Sequence, residues 1–205
     1  GGFIIGFDND PPDIFEKQVN FIQNNGIVTA MIGLLTAMPG TRLYKRLEKE
    51  GRLLFKASGN NTDVAGSLNF IPKMDRETIV RGYQWVMNSI YSPEMYYKRI
   101  LEFLKQYHPA NQTSLITNDF FTFLRSLWYL GVADQTGSSK YYWRLLKESV
   151  SRYRKSFTDA ITVAIYGYHF RSLFYEKWIP LEWEEWLRRE LNHGGLPFPE
   201  SGIGT

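Results

Sequence analysis

Not one cysteine occurs in the 205 residues of this chain. That absence excludes disulfides, thiolate metal sites and any iron–sulfur cluster ligated by these residues. Histidine is scarce as well. His108, His169 and His193 lie far apart, with no pair at the i, i+4 spacing that holds a zinc ion on a helix. No apolar run approaches the ~18 residues of a membrane span. The net charge of +3 is too small to point to nucleic acid without a clustered basic patch. Neither a Gly-x-x-x-x-Gly-Lys loop nor a nucleophile elbow occurs. The chain opens on Gly1-Gly2 with no Met and no basic leader. Lack of cysteine and of a signal peptide fits a cytoplasmic protein.

What is present belongs to a folded domain. Apolar residues make up 43% and charged ones 22%, the balance of a globular rather than a disordered chain. The length suits one or two domains with a real core. Aromatics reach 16% and concentrate after Tyr83.

The first third reads as an α/β unit. Gly2-Phe3-Ile4-Ile5-Gly6-Phe7 is a short apolar run between glycines, the pattern of a strand buried on both faces. Asp8-Asn9-Asp10-Pro11-Pro12 supplies turn chemistry and a proline-led helix start. Phe15, Val19 and Ile22 then fall on one helical stripe, and Gly26 stops the helix. Ile27 to Leu35 is again continuously apolar and predicts a second buried strand. This order implies a right-handed parallel crossover. After Pro39-Gly40, Thr41 caps a charged helix that Gly51 ends. Two strands do not make a stable sheet. The chain is therefore expected to be a fragment whose partner is the missing N-terminal part of the same polypeptide.

Residues 56–74 are a polar connection in which Leu68-Asn69-Phe70-Ile71 is extended. Helices are predicted from Asp75 to Ile90, Ser92 to Tyr107, Thr117 to Gly131, Ser139 to Arg154, Ser156 to Trp178 and Pro180 to Leu191. Short polar turns between them imply a bundle. The fold class is α/β then mainly α. The division is residues 1–55 for the α/β part, 56–74 for the connection, 75–192 for the helical domain and 193–205 for a loose tail.

Side chains that might do chemistry are few. Glu182, Glu184 and Glu185 sit among Trp183 and Trp186, as on an amphipathic surface helix. Arg152, Arg154 and Lys155, near Tyr142, Trp143 and Tyr153, read as a solvated face, an anionic-ligand patch or a membrane-surface contact. The helices from Tyr141 combine Trp143, Phe157, Phe170, Phe174, Trp178, Trp183 and Trp186 with Arg144, Lys147, Arg188 and Arg189. A plain core explains such aromatics; a surface for an apolar substrate or a membrane interface is the alternative. A non-enzymatic helical binding module is a second reading of the whole chain.

The first strand carries the resemblance. Gly2-Phe3-Ile4-Ile5-Gly6-Phe7-Asp8-Asn9 resembles the G-x-I-x-G-x-x-E motif on the fifth strand of radical S-adenosylmethionine (SAM) enzymes. Ala37-Met38-Pro39-Gly40-Thr41-Arg42-Leu43-Tyr44 resembles the segment after the sixth strand in cobalamin-binding radical SAM proteins. Gly59-Asn60-Asn61-Thr62-Asp63, Asn69-Phe70-Ile71-Pro72-Lys73-Met74 and Tyr91-Ser92-Pro93 resemble the joint to an added helical domain, as in the bacterial subgroup that includes the hopanoid methylases. The motif's final Glu is Asn9 here. The resemblance implies the last strand-helix-strand of a TIM-like barrel with its working face at the strands' C-terminal ends. It implies SAM contacts at Gly2, Ile4, Gly6, Asn9 and Leu35, and substrate contacts at Asn60, Asn61 and Thr62. It implies no catalytic residue and no metal ligand on this chain. A [4Fe-4S] cluster and cobalamin would be held by the missing part. The implied activity of the parent is methyl transfer to an unreactive carbon of a small molecule, a lipid included, with the cofactors doing the chemistry. The fragment alone would be inactive.

Overall fold

The computed structural model describes residues 1–56, 68–107, 109, 117–134 and 137–177. The predicted helix Pro180–Leu191, its tryptophans and carboxylates, and both His108 and His193 lie outside the described residues, as does the side chain of Phe174. An α/β start leads into helices, as the pattern of the sequence predicts.

Strand β1 (Gly2–Ile5) is followed by helix α1 (Ile14–Asn24) and strand β2 (Met31–Leu34). The amide of Met31 donates to the carbonyl of Gly1 and that of Leu35 to Ile5, each at 2.8 Å. The offset is the same at both ends of the ladder, so the strands are parallel. The second strand is shorter than the predicted Ile27–Leu35. Its partner begins at Gly2, so residues before Met31 have no strand beside them.

The expected burial on both faces is also corrected. Side chains alternate along a strand, and Ile5, Ile32 and Leu34 are buried while Ile4 is 49% and Met31 68% exposed. Gly2 and Met31 in one compact unit and Ile4 and Gly33 in the other are all exposed.

Helix α2 (Arg42–Lys49) starts at Thr41, whose hydroxyl accepts the amide of Tyr44 at 3.2 Å. It buries Tyr44 and Leu47. Leu53 and Phe70 form an antiparallel bridge, which is what becomes of the extended Leu68–Ile71. Among the described residues five helices follow: α3 (Arg76–Tyr91), α4 (Pro93–Gln106), α5 (Thr117–Gly131), α6 (Ser139–Arg152) and α7 (Phe157–Lys177). The predicted run to Arg154 stops at Arg152, and a 3-10 turn over Arg154–Ser156 separates α6 from α7.

The chain divides into two compact units. Among the described residues, one holds Gly1–Phe3, Pro11–Ile32 and Arg81–Lys177, the other Ile4–Asp10 and Gly33–Val80.

In the first unit α4 packs on α1, α6 and α7, and α5 packs on α6 and α7. Its core includes Ile22, Val86, Ile90, Tyr96, Ile100, Tyr142 and Leu145. Gly167 lets α7 approach α4, since a Cβ there would stand 2.0 Å from the Tyr96 ring. Three side chains donate to alternate carbonyls along and before β2. Tyr83 reaches Ile32 at 3.1 Å, Tyr91 reaches Ala30 at 2.7 Å and Arg99 reaches Val28 at 3.4 Å. In a parallel ladder alternate residues face alternate edges. Met31 faces β1, so Ala30 and Ile32 face the other edge. The tyrosines and Arg99 cap that edge, where bare carbonyls would invite another strand.

Arg99 is fully buried, stacks 5.1 Å from the Tyr96 ring centroid and donates to Gln23 at 3.1 Å. Burial pushes its pKa below the ordinary guanidinium value. Burial likewise raises the Tyr83 and Tyr91 phenols to about 12, so both stay protonated donors.

Candidate functional site

The second unit carries the C-terminal ends of both strands, where loops in parallel α/β folds do their work. Gly6 follows β1 with φ +107°, a region that side chains rarely adopt. Its amide and that of Phe7 donate to the Asp10 carboxylate at 2.8 and 2.9 Å, and the Asp10 amide returns to the Phe7 carbonyl at 3.0 Å. The loop is thus a closed turn held by one carboxylate.

Asp8, next in that turn, accepts two bonds from Arg52 at 2.6 and 2.9 Å and one from Arg46 at 2.9 Å. The Arg52 hydrogen bond is the main reason its carboxyl sits below the ordinary value of 3.8; both arginines' charges add to it and desolvation opposes it. The same bond raises the Arg52 pKa. Arg52 also donates to Glu50 at 2.9 Å and to the Ile71 carbonyl at 2.8 Å. One guanidinium therefore ties the β1 turn to the strand-like pair after α2 in a bidentate clamp.

Beyond β2, Asn69 is fully buried. Its amide nitrogen donates to the carbonyls of Ala37 at 2.9 Å and Phe55 at 3.0 Å, and its oxygen accepts the Ala37 amide at 2.8 Å. This side chain stands in for a strand, satisfying loop backbone that has no ladder partner. Arg76 donates to the Leu68 carbonyl at 2.9 Å, and burial lowers its pKa to about 10.

Of the predicted contacts, Ile4, Gly6, Asn9 and Leu35 fall in this unit, and Gly2 in the other. Gly6 and Leu35 are neighbours: a Cβ on Gly6 would lie 3.6 Å from that of Leu35. Leu35 is buried, Asn9 and Ile4 exposed. Gly2 has no atom within 4 Å of the place a Cβ would take. Asn60, Asn61 and Thr62 lie outside the described residues. Sequence reasoning missed Asp8, Arg52 and Asn69. Only Asn69 had a signal, as a polar residue inside an apolar extended run. The carboxylate lacking at Asn9 is present one residue earlier at Asp8, with its oxygens already engaged by arginine. Among the described residues no group of His, Asp or Glu is placed to hold a metal ion. The arrangement of these described residues holds and shapes the strand-end loops.

Residues 41–178 match the family described as a domain of unknown function, DUF4070. The chain belongs to this family. The DUF4070 match begins at the cap of α2 and takes in α2 to α7. Two curated relatives add a chemical label. An uncharacterized methyltransferase of Synechocystis sp. is 35% identical over 114 residues, which is 55% of this chain and 21% of that protein. A hopanoid C-2 methylase of Rhodopseudomonas palustris is 32% identical over 98 residues, 48% of this chain and 17% of that protein. The matched stretch spans about a fifth of each relative's length. These matches bear out the resemblance to the radical SAM methylase subgroup with an added helical domain. No solved structure matches the chain.

Proposed function

We propose that this DUF4070 chain is the last barrel segment and the helical cover of a radical SAM methyltransferase that acts on an unreactive carbon. The observation that carries the reading is the exposed face of the two-stranded sheet. In the second unit that face presents the exposed Ile4 and Gly33, an apolar side chain and a glycine, and ends on the positive-φ Gly6. A flat ring needs such a wall: backbone it can approach closely and apolar atoms to lie on. The residues of this unit fit the adenine of SAM, with Ile4 and Gly6 as the wall and Asn9 and Leu35 at the strand ends; Gly2 is assigned to SAM from the resemblance alone. When bound, SAM supplies an activated sulfonium, the source of the methyl group or of reductive cleavage. The closed Asp10 turn and the Asp8–Arg52 clamp keep the wall's rim in one conformation. That is the preorganisation a cofactor site requires.

The residues do not fit an iron–sulfur cluster, because the chain has no cysteine. In this reading the cluster, and cobalamin where it is used, are held by other parts of the protein. Small-molecule substrate contacts are assigned to Asn60, Asn61 and Thr62, in the segment between α2 and α3. The names of the two relatives support a methylase.

The test is SAM affinity. Gly6→Val places a branched side chain at φ +107° on the wall's rim, so SAM binding to the full-length protein should weaken roughly ten- to hundredfold. Gly51→Ala, a positive-φ glycine after α2, is the strain control. A folded Gly6→Val protein with unchanged SAM affinity would refute the wall.

A further inference from the structure

The outer face of α5 is apolar where a solvated helix is polar. Leu124, Trp128 and Val132 recur at helical spacing and are 44%, 60% and 61% exposed. The amide of Val132 still donates to the Trp128 carbonyl at 3.1 Å, so the stripe runs past the end of the helix. The opposite face buries Ser126 and Leu130, and Ser126 meets the hydroxyl of the buried Tyr142 at 2.8 Å. This helix is therefore anchored by one side and bare on the other. Trp143 of α6 widens the bare side: its indole donates to the Gly131 carbonyl at 3.1 Å and stays 48% exposed. Lys140, Arg144 and Lys147 are exposed on the same stretch of α6. Charge is concentrated here. Residues 117–156 hold seven of the chain's 24 Lys and Arg but three of its 21 Asp and Glu, so this segment carries +4 and the rest of the chain, at +3 in total, carries −1.

We infer that α5 and the start of α6 form a docking surface for an anionic lipid bilayer. A stripe of Leu and Val flanked by two tryptophans and a cationic margin suits the boundary between acyl chains and anionic headgroups. Trp favours that depth, and each Lys or Arg near the surface adds to the attraction. Among the described residues no helix is long and apolar enough to cross a membrane, so the contact is peripheral. Arg125 sits within the stripe, exposed, and its long stem lets the guanidinium reach back to phosphate. The inference stands on the helical unit alone and does not need the SAM wall.

Flotation of the full chain with phosphatidylglycerol-containing and pure phosphatidylcholine vesicles tests it, with circular dichroism as the check on folding. Binding is expected to anionic vesicles at low salt and to be released at high salt, where exposed charges are screened within about 3 Å at 1 M. Leu124→Ser with Trp128→Ser, both exposed, should lower partitioning at least tenfold. Lys140→Gln with Lys147→Gln should lower it roughly tenfold at low salt and leave the high-salt value unchanged. Absence from every vesicle overturns the proposal, and so does equal binding to neutral lipid. A concentration-dependent dimer lost in Trp128→Ser also overturns it, since a second copy would then be what covers the stripe.

Discussion

Two regions of this chain meet the same need with different side chains. Both must satisfy backbone beside a sheet that has two strands among the described residues. At the strand ends the work falls to small polar groups: Asp10 for the β1 turn, Asn69 for the loop after β2, and Asp8 through Arg52. Along the far edge of β2 it falls to the phenols of Tyr83 and Tyr91 and the guanidinium of Arg99. The difference is one of environment. Tyrosine carries its donor on an apolar body, so it caps an edge and fills a core in one step. Carboxylates and amides leave room and tolerate water, as a rim around a ligand must. The edge cap is wholly buried; at the strand ends Asn69 is buried while Asp8, Asp10 and Arg52 keep partial exposure.

The largest break in the comparison should come from Asn69. Asn69→Leu keeps the volume but orphans the amide and carbonyl of Ala37 and removes one donor from the carbonyl of Phe55. At ~1–3 kcal/mol for each buried unsatisfied group, partly relieved by relaxation, the loss should be ~3–5 kcal/mol. Urea unfolding measures it. A loss under about 1 kcal/mol would mean that water replaces the amide.

Next comes Asp8. Its folded pKa lies below the unfolded value of 3.8, so ionised Asp8 stabilises the fold. That contribution is complete above the unfolded pKa and fades as pH falls through the folded one. Asp8→Asn should cost about 2 kcal/mol at neutral pH, less than a fully buried pair because Arg52 is partly solvated. The gap between variant and parent should close as pH drops below 3.8. The tyrosine cap should show no such change, its phenols being raised to about 12. A gap that holds constant into acid would mean the Arg52 pair is not what the variant removed.

A third test lies inside the helical unit. Ala is the better helix former by about 1 kcal/mol over Gly. At Gly167 the new Cβ would stand 2.0 Å from the Tyr96 ring, and that ring is held by a 2.6 Å bond from its hydroxyl to the Val163 carbonyl. Overpacking of this kind costs ~1–3 kcal/mol. Gly167→Ala should therefore destabilise by a net ~1 kcal/mol, whereas the same change made in a Tyr96→Leu background, which lacks the ring, should be neutral or stabilising relative to Tyr96→Leu alone. A stabilised Gly167→Ala would show that α7 stands farther from α4.

The sequence made some of this legible and hid the rest for physical reasons. Helix starts at Thr41 and Ser92-Pro93 were readable because caps and N-terminal prolines are local chemistry. So was the order of strand, helix and strand. The length of β2 was not, because Ile27–Ala30 are as apolar as Met31–Leu34, and what separates them is whether a strand lies alongside. Burial on both faces was wrong for the same reason: periodicity cannot say what covers a face. Asn69, Asp8 and Arg52 act through partners far along the chain, and no local pattern announces such pairings. The bare stripe on α5 was hidden by its own composition. Leu124, Trp128 and Val132 are residue types of a core, and only the structure shows that they are exposed while Ser126 and Leu130 are buried.

The smallest effect should come at Thr41, where the family match begins. Thr41 has extended backbone, φ −76° and ψ 160°, the geometry of an N-cap. Its hydroxyl accepts the Tyr44 amide at 3.2 Å and donates to the Met38 carbonyl at 2.7 Å. The residue is exposed, so water competes for both partners. Thr41→Ala should cost about 1 kcal/mol, the usual value of a lost cap. Thr41→Asp keeps the acceptor, adds a charge that the helix N-terminus favours, and loses only the donor to Met38. If capping is what matters, Asp should restore most of the stability that Ala loses. If Asp is as poor as Ala, the bond to Met38 is the important one, and Thr41 serves the strand-end loop more than the helix.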